Sequence, residues 1–272
     1  MNESMRGRVL IVAGSDSSGG AGIQADIKSV TAMGGFAMTA VTAITAQNTL
    51  GVHGIHEVPV EIVRAQMKAV LDDIGADAVK TGMLHSAAIV EAVAAELGAH
   101  AEVPFLVVDP VMVAKGGASL LDGSAVAALK EVLIPLATLV TPNVPEAEAL
   151  TGRTISDLDS QKAAADALLG LGCDAVLIKG GHLDGATLFD VLATQETMQV
   201  FSSPRIDTRH THGTGCTLAS AIVALLAQGV ELSVAVETAR DYVHEAIRTA
   251  PGFGKGHGPL NFLAVFSDDG ES

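Results

Sequence analysis

Short, strongly apolar runs alternate along the chain with longer segments whose apolar residues recur at helical spacing. The runs that predict strands are residues 9–13, 36–46, 77–80, 105–108, 139–140, 175–178, 188–193 and 198–201. The helical pattern occupies 22–33, 62–71, 86–97, 122–133, 213–226 and 234–248, and a further helix is predicted to start at 143–146. This alternation predicts an α/β fold, with a parallel sheet and helices on both of its faces.

Two helix starts carry a capping residue, because Ser86 and Asp122 precede helical segments and are predicted as their N-caps. No Pro-rich or Ser-rich linker divides the chain, and no repeat of fixed period is evident. We therefore predict a single domain over residues 1–272.

Polar clusters follow five of the predicted strands. They are residues 14–22, Gln47-Asn48, Asp109, Asn143 and 179–182. In open α/β sheets, ligands bind beyond the carboxyl ends of the strands. Loops are polar in any protein, so one cluster alone carries little weight. The five together predict a functional crevice.

Composition narrows the class of protein. The 272 residues are 49% hydrophobic and 17% charged, which supplies a buried core and excludes disorder. The 16 basic and 31 acidic residues give a formal net charge of −15, so nucleic acid is not an expected partner. A local cationic or amide-lined pocket can still bind a small anion.

The cellular setting is read from the cysteines and the hydropathy. Cys173 and Cys216 form no CxxC pair, which indicates free thiols in a reducing compartment. The mean hydropathy of +0.41 is high, but the most apolar window, residues 218–230, is too short to cross a bilayer. The apolar run at 9–13 is too short for a signal peptide. We therefore expect a cytoplasmic protein with no membrane partner.

The strongest chemical motif is THGTGCT at residues 211–217, which opens a long apolar helix. Gly213 and Gly215 allow a ligand to approach the backbone, and the N–H groups of the helix start favour an anion such as phosphate. Cys216 lies in the first turn, where the helix dipole is expected to favour its thiolate. The alternative for Cys216 is a small buried apolar residue, which is the role we assign to Cys173.

A second glycine-rich loop, residues 14–22, does not match the GxGxxG dinucleotide pattern. Asp26 follows this loop on the next helix. Either it faces the crevice, or it only interacts favourably with the positive N-terminal end of the helix dipole. Asn143 and Glu146 stand at another strand-to-helix junction, and Glu146 and Asp109 are candidate Mg²⁺ ligands. Lys179 ends a buried strand, where it is placed to meet phosphate oxygens.

These motifs resemble, in order, the hydroxymethylpyrimidine/phosphomethylpyrimidine kinase family of thiamine biosynthesis, within the ribokinase-like superfamily. The matching segments are AGSDSSGGAGIQAD (13–26), TAQNT (45–49), TGML (81–84), DPVM (109–112), TPNVPE (141–146), KGGH (179–182) and THGTGCT (211–217). The resemblance extends over about residues 9–262. The cysteine at position 216 is its most specific feature, because sugar kinases of the superfamily carry Asp there.

The resemblance implies a ribokinase-like three-layer α/β/α fold, a mostly parallel sheet, and a role for each matching residue. Gly213, Thr214 and Gly215 would form the anion hole, with Cys216 at the position of the catalytic base. Gln47, Asp26, Met83 and Val111 would bind the pyrimidine. Lys179, Thr211 and Asn143 would bind ATP or its phosphates, and Glu146 and Asp109 would hold Mg²⁺. For Gln47 there is also a chemical reason, because its amide matches a 4-aminopyrimidine edge.

The implied activity is phosphorylation of 4-amino-5-hydroxymethyl-2-methylpyrimidine by MgATP, and then of its monophosphate to the pyrophosphate. Closure of residues 114–118 over the substrate is expected to exclude water. The alternatives are a pyridoxal kinase, a kinase of both rings, or a non-catalytic pyrimidine-binding module. The family also suggests a homodimer. The loops around 189–204 and the last helix carry no adenine-binding motif.

Overall fold

Two sheets organise the fold over residues 7–100, 103–112, 121 and 123–266, which are the residues that this computed structural model describes. The strands are β1 (Arg8–Ala13), β2 (Phe36–Val41), β3 (Ala43–Asn48), β4 (Gly51–Glu57), β5 (Ala78–Thr81), β6 (Leu106–Val108), β7 (Leu139–Val140), β8 (Ala175–Ile178), β9 (Thr187–Thr194) and β10 (Met198–Pro204). Eight of them form the main sheet, in the order β10-β9-β8-β7-β6-β5-β1-β2. The strands from β2 to β8 in that sheet are parallel, and β9 and β10 add an antiparallel hairpin at one edge.

Helices cover both faces of the main sheet. They are α1 (Gly22–Ala32), α2 (Val60–Asp73), α3 (Ala87–Ala99), α4 (Gly123–Ala128), α5 (Val144–Thr151), α6 (Leu158–Leu169), α7 (Thr214–Ala227) and α8 (Leu232–Arg248). A π-helical turn at Leu129–Leu133 and a 3-10 turn at Ile134–Leu136 extend α4, and a 3-10 turn at Ala264–Phe266 follows α8. In the described part of the chain, no helix is both long enough and apolar enough to cross a membrane.

The side chains of β1 alternate between the two faces of the main sheet, and this alternation explains why helices pack on both faces to give three layers. Leu10 and Val12 belong to a buried apolar core formed with α2, α3, α5 and α6, whereas Val9 and Ile11 belong to a second core formed with α1, α7 and α8. Successive strand side chains point to opposite faces, so a strand that is apolar at every position is buried on both. The predicted α/β/α layering and the mostly parallel sheet are confirmed.

The predicted strand at 36–46 is wrong in one respect, because the run divides between two sheets. β2 pairs with β1 as far as Val41, and then β3 leaves to pair with β4. Thr42 makes the change of direction: its backbone N–H donates to Ala13 O at 3.0 Å and its hydroxyl donates to Met83 O at 2.6 Å. β4 was not predicted, because its sequence GVHGIHE lacks a regular apolar alternation.

The helix starts differ in part from the prediction. Ser86 occupies the N-cap of α3, but its hydroxyl bonds Glu57 Oε1 at 2.5 Å and makes no capping bond. α6 was not predicted, although Asp157 and Ser160 form a capping box at its start. The predicted N-cap Asp122 lies outside the described residues.

The strand order places a crevice beside β1. The chain leaves β1 for β2 on one side and later returns to β5 on the other side. Loops that follow β1 and β5 therefore separate at this point and leave an opening between them. This is the topological switch point at which open α/β sheets bind ligands.

Candidate active site

One cavity of about 730 Å³ lies at the carboxyl ends of β1, β5, β6, β7 and β8. The N-terminal ends of α1, α5 and α7 border the same space. Of the residues predicted as site residues, the following line it: Gln47, Met83, Asp109, Val111, Asn143, Glu146, Lys179, Thr211, Gly213, Thr214, Gly215 and Cys216. Asp26 is not in its wall. The predicted lid at 114–118 lies outside the described residues.

The start of α7 forms an amide-rich corner of the cavity. Gly213 adopts φ +85°, and a Cβ there would lie 1.8 Å from Gly20 O, so only glycine fits this turn. The first N–H groups of a helix have no partner within it, and the helix dipole makes this end positive. A Cβ built on Gly215 would lie 3.2 Å from Lys179 Nζ, which brings an ammonium group to the same corner. The corner is therefore suited to a phosphate group.

Lys179 is held in place by Asp109. Its Nζ donates to Asp109 Oδ1 at 2.9 Å, and the Thr141 hydroxyl donates to the same oxygen at 3.2 Å. Burial lowers the pKa of Lys179, but Asp109 and Glu146 outweigh it and the pKa is raised. The ammonium group thus stays charged at the cavity wall, despite the net charge of −15 on the chain.

Glu146 combines a structural bond with an unusual protonation equilibrium. Its Oε2 accepts from Asn143 N at 2.7 Å, while Asn143 Oδ1 accepts from Glu146 N at 3.0 Å, which closes a capping box on α5. Burial and the neighbouring Asp109 carboxylate raise the pKa of Glu146 to about 7, against the opposing effect of Lys179. Two carboxylates share this wall, and a cation between them would relieve their repulsion.

The surroundings of Cys216 oppose the predicted thiolate. Burial raises the pKa of Cys216 to about 12; Asp26 and Asp109 act in the same direction, against Lys80 and the Gly22 N–H group. Cys173, as expected, is buried in the core beside Leu168 O, and burial raises its pKa to about 11.

Asp26 lies behind the cavity wall and pairs with a lysine that the sequence analysis missed. Lys80 Nζ contacts Asp26 Oδ1 and Oδ2 at 2.9 and 3.0 Å, and the Ser220 hydroxyl donates to Asp26 Oδ1 at 2.7 Å. Lys80 is fully buried but reaches the cavity lining. Burial lowers the pKa of Lys80, yet Asp26 and the other nearby anionic groups outweigh it and raise the pKa. A lysine directly after two apolar residues of a short predicted strand was the available signal.

Gln47 lies within β3, at a bulge in the two-stranded sheet, and not beyond the end of a main-sheet strand. Its amide sits between the Thr45 hydroxyl and the His212 ring, at 3.2 and 3.3 Å. His212 in turn contacts Asp16 Oδ2 at 2.8 Å. His212 and Asp16 were both quoted in motifs but received no role from the sequence, because 196 positions separate them.

The described residues contain no group of three or more His, Cys, Asp or Glu side chains arranged for a metal ion. Mg²⁺ often takes one or two carboxylates and completes its shell with water and substrate phosphates. Asp109 and Glu146 supply two such carboxylates, and they line the same cavity as Lys179 and the start of α7. The donor chemistry thus fits Mg²⁺ in the presence of a phosphate-bearing substrate.

Comparison with known proteins gives a consistent result. The family model described as phosphomethylpyrimidine kinase matches residues 16–261. The hydroxymethylpyrimidine/phosphomethylpyrimidine kinase of Bacillus subtilis is 51% identical over 258 residues, which are 94% of this chain and 95% of that protein. The thiamine biosynthesis bifunctional protein ThiED of Geobacter sulfurreducens is 54% identical over 97% of this chain, which spans about half (54%) of that protein.

Solved structures share the ribokinase-like fold. An ADP complex of Bacillus subtilis pyridoxal kinase matches with a TM-score of 0.89 and 37% identity, over 97% of this chain and 100% of that chain. The phosphomethylpyrimidine kinase from Clostridium difficile 630 matches with a TM-score of 0.79 and 44% identity, over 88% of this chain and 99% of that chain. The backbone is therefore common to kinases of two ring systems, and the side chains of the site must distinguish them.

Proposed function

Because the chain belongs to the phosphomethylpyrimidine kinase family, we propose that it phosphorylates 4-amino-5-hydroxymethyl-2-methylpyrimidine with ATP, and then phosphorylates the monophosphate to the pyrophosphate. The observation that carries this proposal is the meeting of Gln47, Lys179 and the start of α7 around one cavity. That arrangement pairs a group able to recognise an aminopyrimidine with a corner suited to phosphate.

Phosphoryl transfer depends on positioning and charge neutralisation more than on covalent chemistry. The N–H groups at Gly213, Thr214 and Gly215 would receive the transferred group, and Lys179 would neutralise its charge from the same side. Thr211 and Asn143 also line the cavity and would contact phosphate oxygens. Donors held in position by the fold cost little reorganisation at the moment of transfer.

Asp109 and Glu146 are the residues that would hold Mg²⁺. The ion would neutralise charge on the phosphate oxygens when bound. Glu146 must then be deprotonated, which its pKa of about 7 permits at neutral pH and above. The capping box keeps its carboxyl group at the start of α5 in either protonation state.

The ring of the substrate would lie between Met83 and Val111, with its aminopyrimidine edge on Gln47. Cys216 would stand beside the reacting hydroxyl group at the position of the catalytic base. Because the pKa of Cys216 is about 12, the side chain would be a protonated thiol that orients the hydroxyl group, and only its small thiolate fraction would accept the hydroxyl proton. Asp26 would act through Lys80, and not by direct contact with the ring.

Pyridoxal kinase is the second candidate, because structures of that enzyme align with this chain at a TM-score of 0.89. A single assay separates the candidates: ATP consumption is measured with the pyrimidine alcohol, with pyridoxal, and with neither. We expect the highest kcat/KM for the pyrimidine alcohol. Higher kcat/KM for pyridoxal would favour the second candidate. If neither alcohol increases ATP consumption, the result would favour a non-catalytic binding module.

We also propose that the protein is a cytoplasmic homodimer. Apolar side chains on the β3–β4 sheet support this. Ile44 in β3 is 54% exposed, and Leu50, in the turn between β3 and β4, is 64% exposed. Exposed apolar residues that cluster on one element are typical of a surface that meets another protein.

A further inference from the structure

The amide of Gln47 lies in a hydrogen-bond chain whose donors and acceptors can be counted. Its Oε1 is placed 3.2 Å from Thr45 Oγ1, and its Nε2 is placed 3.3 Å from His212 Nε2. Beyond them, Thr45 Oγ1 is 2.7 Å from Ser15 O and His212 Nε2 is 2.8 Å from Asp16 Oδ2. The two ends of the chain, a backbone carbonyl and a carboxylate, are acceptors only.

At the histidine end, this arrangement contains a conflict. Asp16 accepts from Ser18 N and Ala21 N, both at 2.8 Å. Burial raises the pKa of Asp16, but the bonds from His212 and Ser18 outweigh burial and keep the pKa below its usual value. An ionised carboxylate requires a proton on His212 Nε2. A protonated Nε2 cannot also accept from the NH₂ group of Gln47, whether the imidazole is neutral or charged.

At the threonine end there is a second conflict. The Thr45 hydroxyl has one proton, and the short contact to Ser15 O uses it. The same proton cannot be donated to Gln47 Oε1. Rotation of the amide by 180° removes the conflict at Thr45, since Nε2 then donates to Thr45 Oγ1. At His212 it replaces a contact between two donors by one in which Asp16 Oδ2, at 2.8 Å, and Gln47 Oε1, at 3.3 Å, share the single Nε2 proton. The oxygen and nitrogen of a glutamine amide have nearly the same shape, so hydrogen bonds must decide its orientation.

We propose that Asp16 and His212 are positioning residues that fix the Gln47 amide with its oxygen toward His212 and its nitrogen toward Thr45. One lone pair and one N–H of the amide then remain for a ligand, in a fixed order. A ring edge that binds there must place its donor on the His212 side and its acceptor on the Thr45 side. The dyad thereby selects between rings that carry the same groups in opposite order; the choice of an aminopyrimidine as ligand rests on the proposed function.

The first test reads the proton directly and needs no substrate. Nitrogen-15 NMR of histidine-labelled protein separates ring nitrogens that carry a proton from those that do not, and a His212→Gln spectrum assigns the signals among the nine histidines. We expect a protonated Nε2 on His212 in the wild type. A bare Nε2 at neutral pH would overturn the proposal, whatever the enzyme phosphorylates.

The second test measures selectivity. In Asp16→Asn the side chain can donate to His212, so the proton on Nε2 is no longer required and the Gln47 amide is free to turn. We expect KM for the pyrimidine alcohol to rise about tenfold with a smaller change in kcat, as for one unsatisfied buried polar group, and KM for pyridoxal to change little. Asp72→Asn is the matched control, because Asp72 contacts His100 Nε2 at 3.2 Å on the surface.

Two outcomes of the second test contradict the proposal. An unchanged KM for the pyrimidine alcohol means that the dyad does not orient the amide, and an equal loss with both alcohols means that Asp16 only supports the loop. If Asp16→Asn does not fold, His212→Gln frees the amide in the same way and is read by the same criteria. Wild-type protein that is inactive on the pyrimidine alcohol refutes the proposed function, but leaves the NMR test to decide the orientation.

Discussion

At the scale of single residues, the chemistry of the cavity is set by charges that burial brings together. Lys80 and Lys179 remain cationic because Asp26 and Asp109 lie within hydrogen-bond distance. Burial and Asp109 raise the pKa of Glu146 to about 7, against the opposing effect of Lys179. The residues therefore differ in protonation because of their neighbours, which makes each of them separately testable.

Glu146→Gln is expected to lower turnover about 10²-fold, in the range for loss of one group that stabilises a transition state, while binding of the pyrimidine alcohol stays nearly intact. The amide oxygen can still accept from Asn143 N, so α5 keeps its cap. Steady-state kinetics at limiting Mg²⁺ and calorimetric binding of the alcohol measure the two effects. Glu131→Gln, on the turn that extends α4, is the control. Full activity of Glu146→Gln at limiting Mg²⁺ would remove Glu146 from the metal site.

Cys216 is expected to alkylate slowly at neutral pH and faster as the pH rises, because its pKa of about 12 keeps it protonated. Cys173 is buried, so Cys216 should still be modified first, and the pyrimidine alcohol should protect it. Mass spectrometry of partially alkylated native protein measures both rates. Modification of Cys173 before Cys216 would contradict the placement of Cys216 at the cavity.

Cys216→Ala is expected to cut turnover about 10²-fold, at the lower end of the range for general-base catalysis, because so little thiolate is present. Cys173→Ala serves as the control, since Cys173 lies in the core and outside the cavity. Single-turnover rates with ATP and the alcohol give the comparison. A loss below about threefold, small against that range, would mean that the thiol does not accept the proton.

Gln47→Leu is expected to lower kcat/KM for the pyrimidine alcohol ten- to a hundredfold more than for pyridoxal. The reason is that an unsatisfied polar edge costs roughly 1–3 kcal/mol, and pyridoxal lacks the matching edge. Kinetics with both alcohols on wild type and variant give the ratio. An equal loss with both would assign Gln47 a structural role only.

At the scale of elements, the pair of Lys80 and Asp26 joins β5 to α1, and the Ser220 hydroxyl adds α7 to the same junction. These elements carry the floor of the cavity and its amide-rich corner. Both charges are fully buried, so their hydration is lost, and their mutual contacts and the Ser220 bond replace it. The junction therefore holds the two helix starts at fixed positions.

Asp26→Asn is expected to destabilise the fold by about 3–5 kcal/mol, because it leaves the Lys80 cation buried without an anion. The double variant Asp26→Asn/Lys80→Met should recover much of that loss, since both charges are gone. Urea denaturation followed by circular dichroism gives the free energies. Asp72→Asn, which breaks an exposed pair with Lys68, should leave the midpoint close to wild type. A double variant no more stable than Asp26→Asn would show that the ion pair is not the cause.

At the scale of the whole molecule, the β3–β4 sheet is separate from the main sheet, and its residue Gln47 lines the cavity. Its exposed residues Ile44 and Ile55 contrast with the buried residues of the main sheet. A two-stranded sheet alone has little core of its own. Contact with a second copy of the chain would bury the exposed apolar residues of the β3–β4 sheet and would also restrict the motion of Gln47.

Light scattering on the eluting protein is expected to give twice the chain mass of 27.6 kDa. Substitution of Ile44 by Lys should shift the mass toward the monomer, because a charge would be buried at the contact. Leu263→Lys is the control, since Leu263 is also exposed but lies far along the chain, after α8. A monomer in the wild type, or dimers in both variants, would contradict the proposed contact.

Local pattern was sufficient for most of the elements and for the positions of the motifs. Strands such as β1 and β8 are apolar at nearly every position, and burial on both faces demands this whatever the partners are. The motif before α7 also carries its meaning locally, because the first N–H groups of a helix have no partner within that helix. The sequence by itself determined the α/β class, the glycine-rich start of α7 and the family.

Tertiary structure alone decided which side chains meet. Asp16 and His212 are 196 positions apart, and Asp26 and Lys80 are 54 apart, so no spacing rule connects them. The thiolate expected at Cys216 is opposed for the same reason: the helix dipole is a local property, whereas burial and the charges of Asp26 and Asp109 depend on the folded chain. Protonation and amide orientation depend on every neighbour within a few ångströms, and only the folded chain specifies those neighbours.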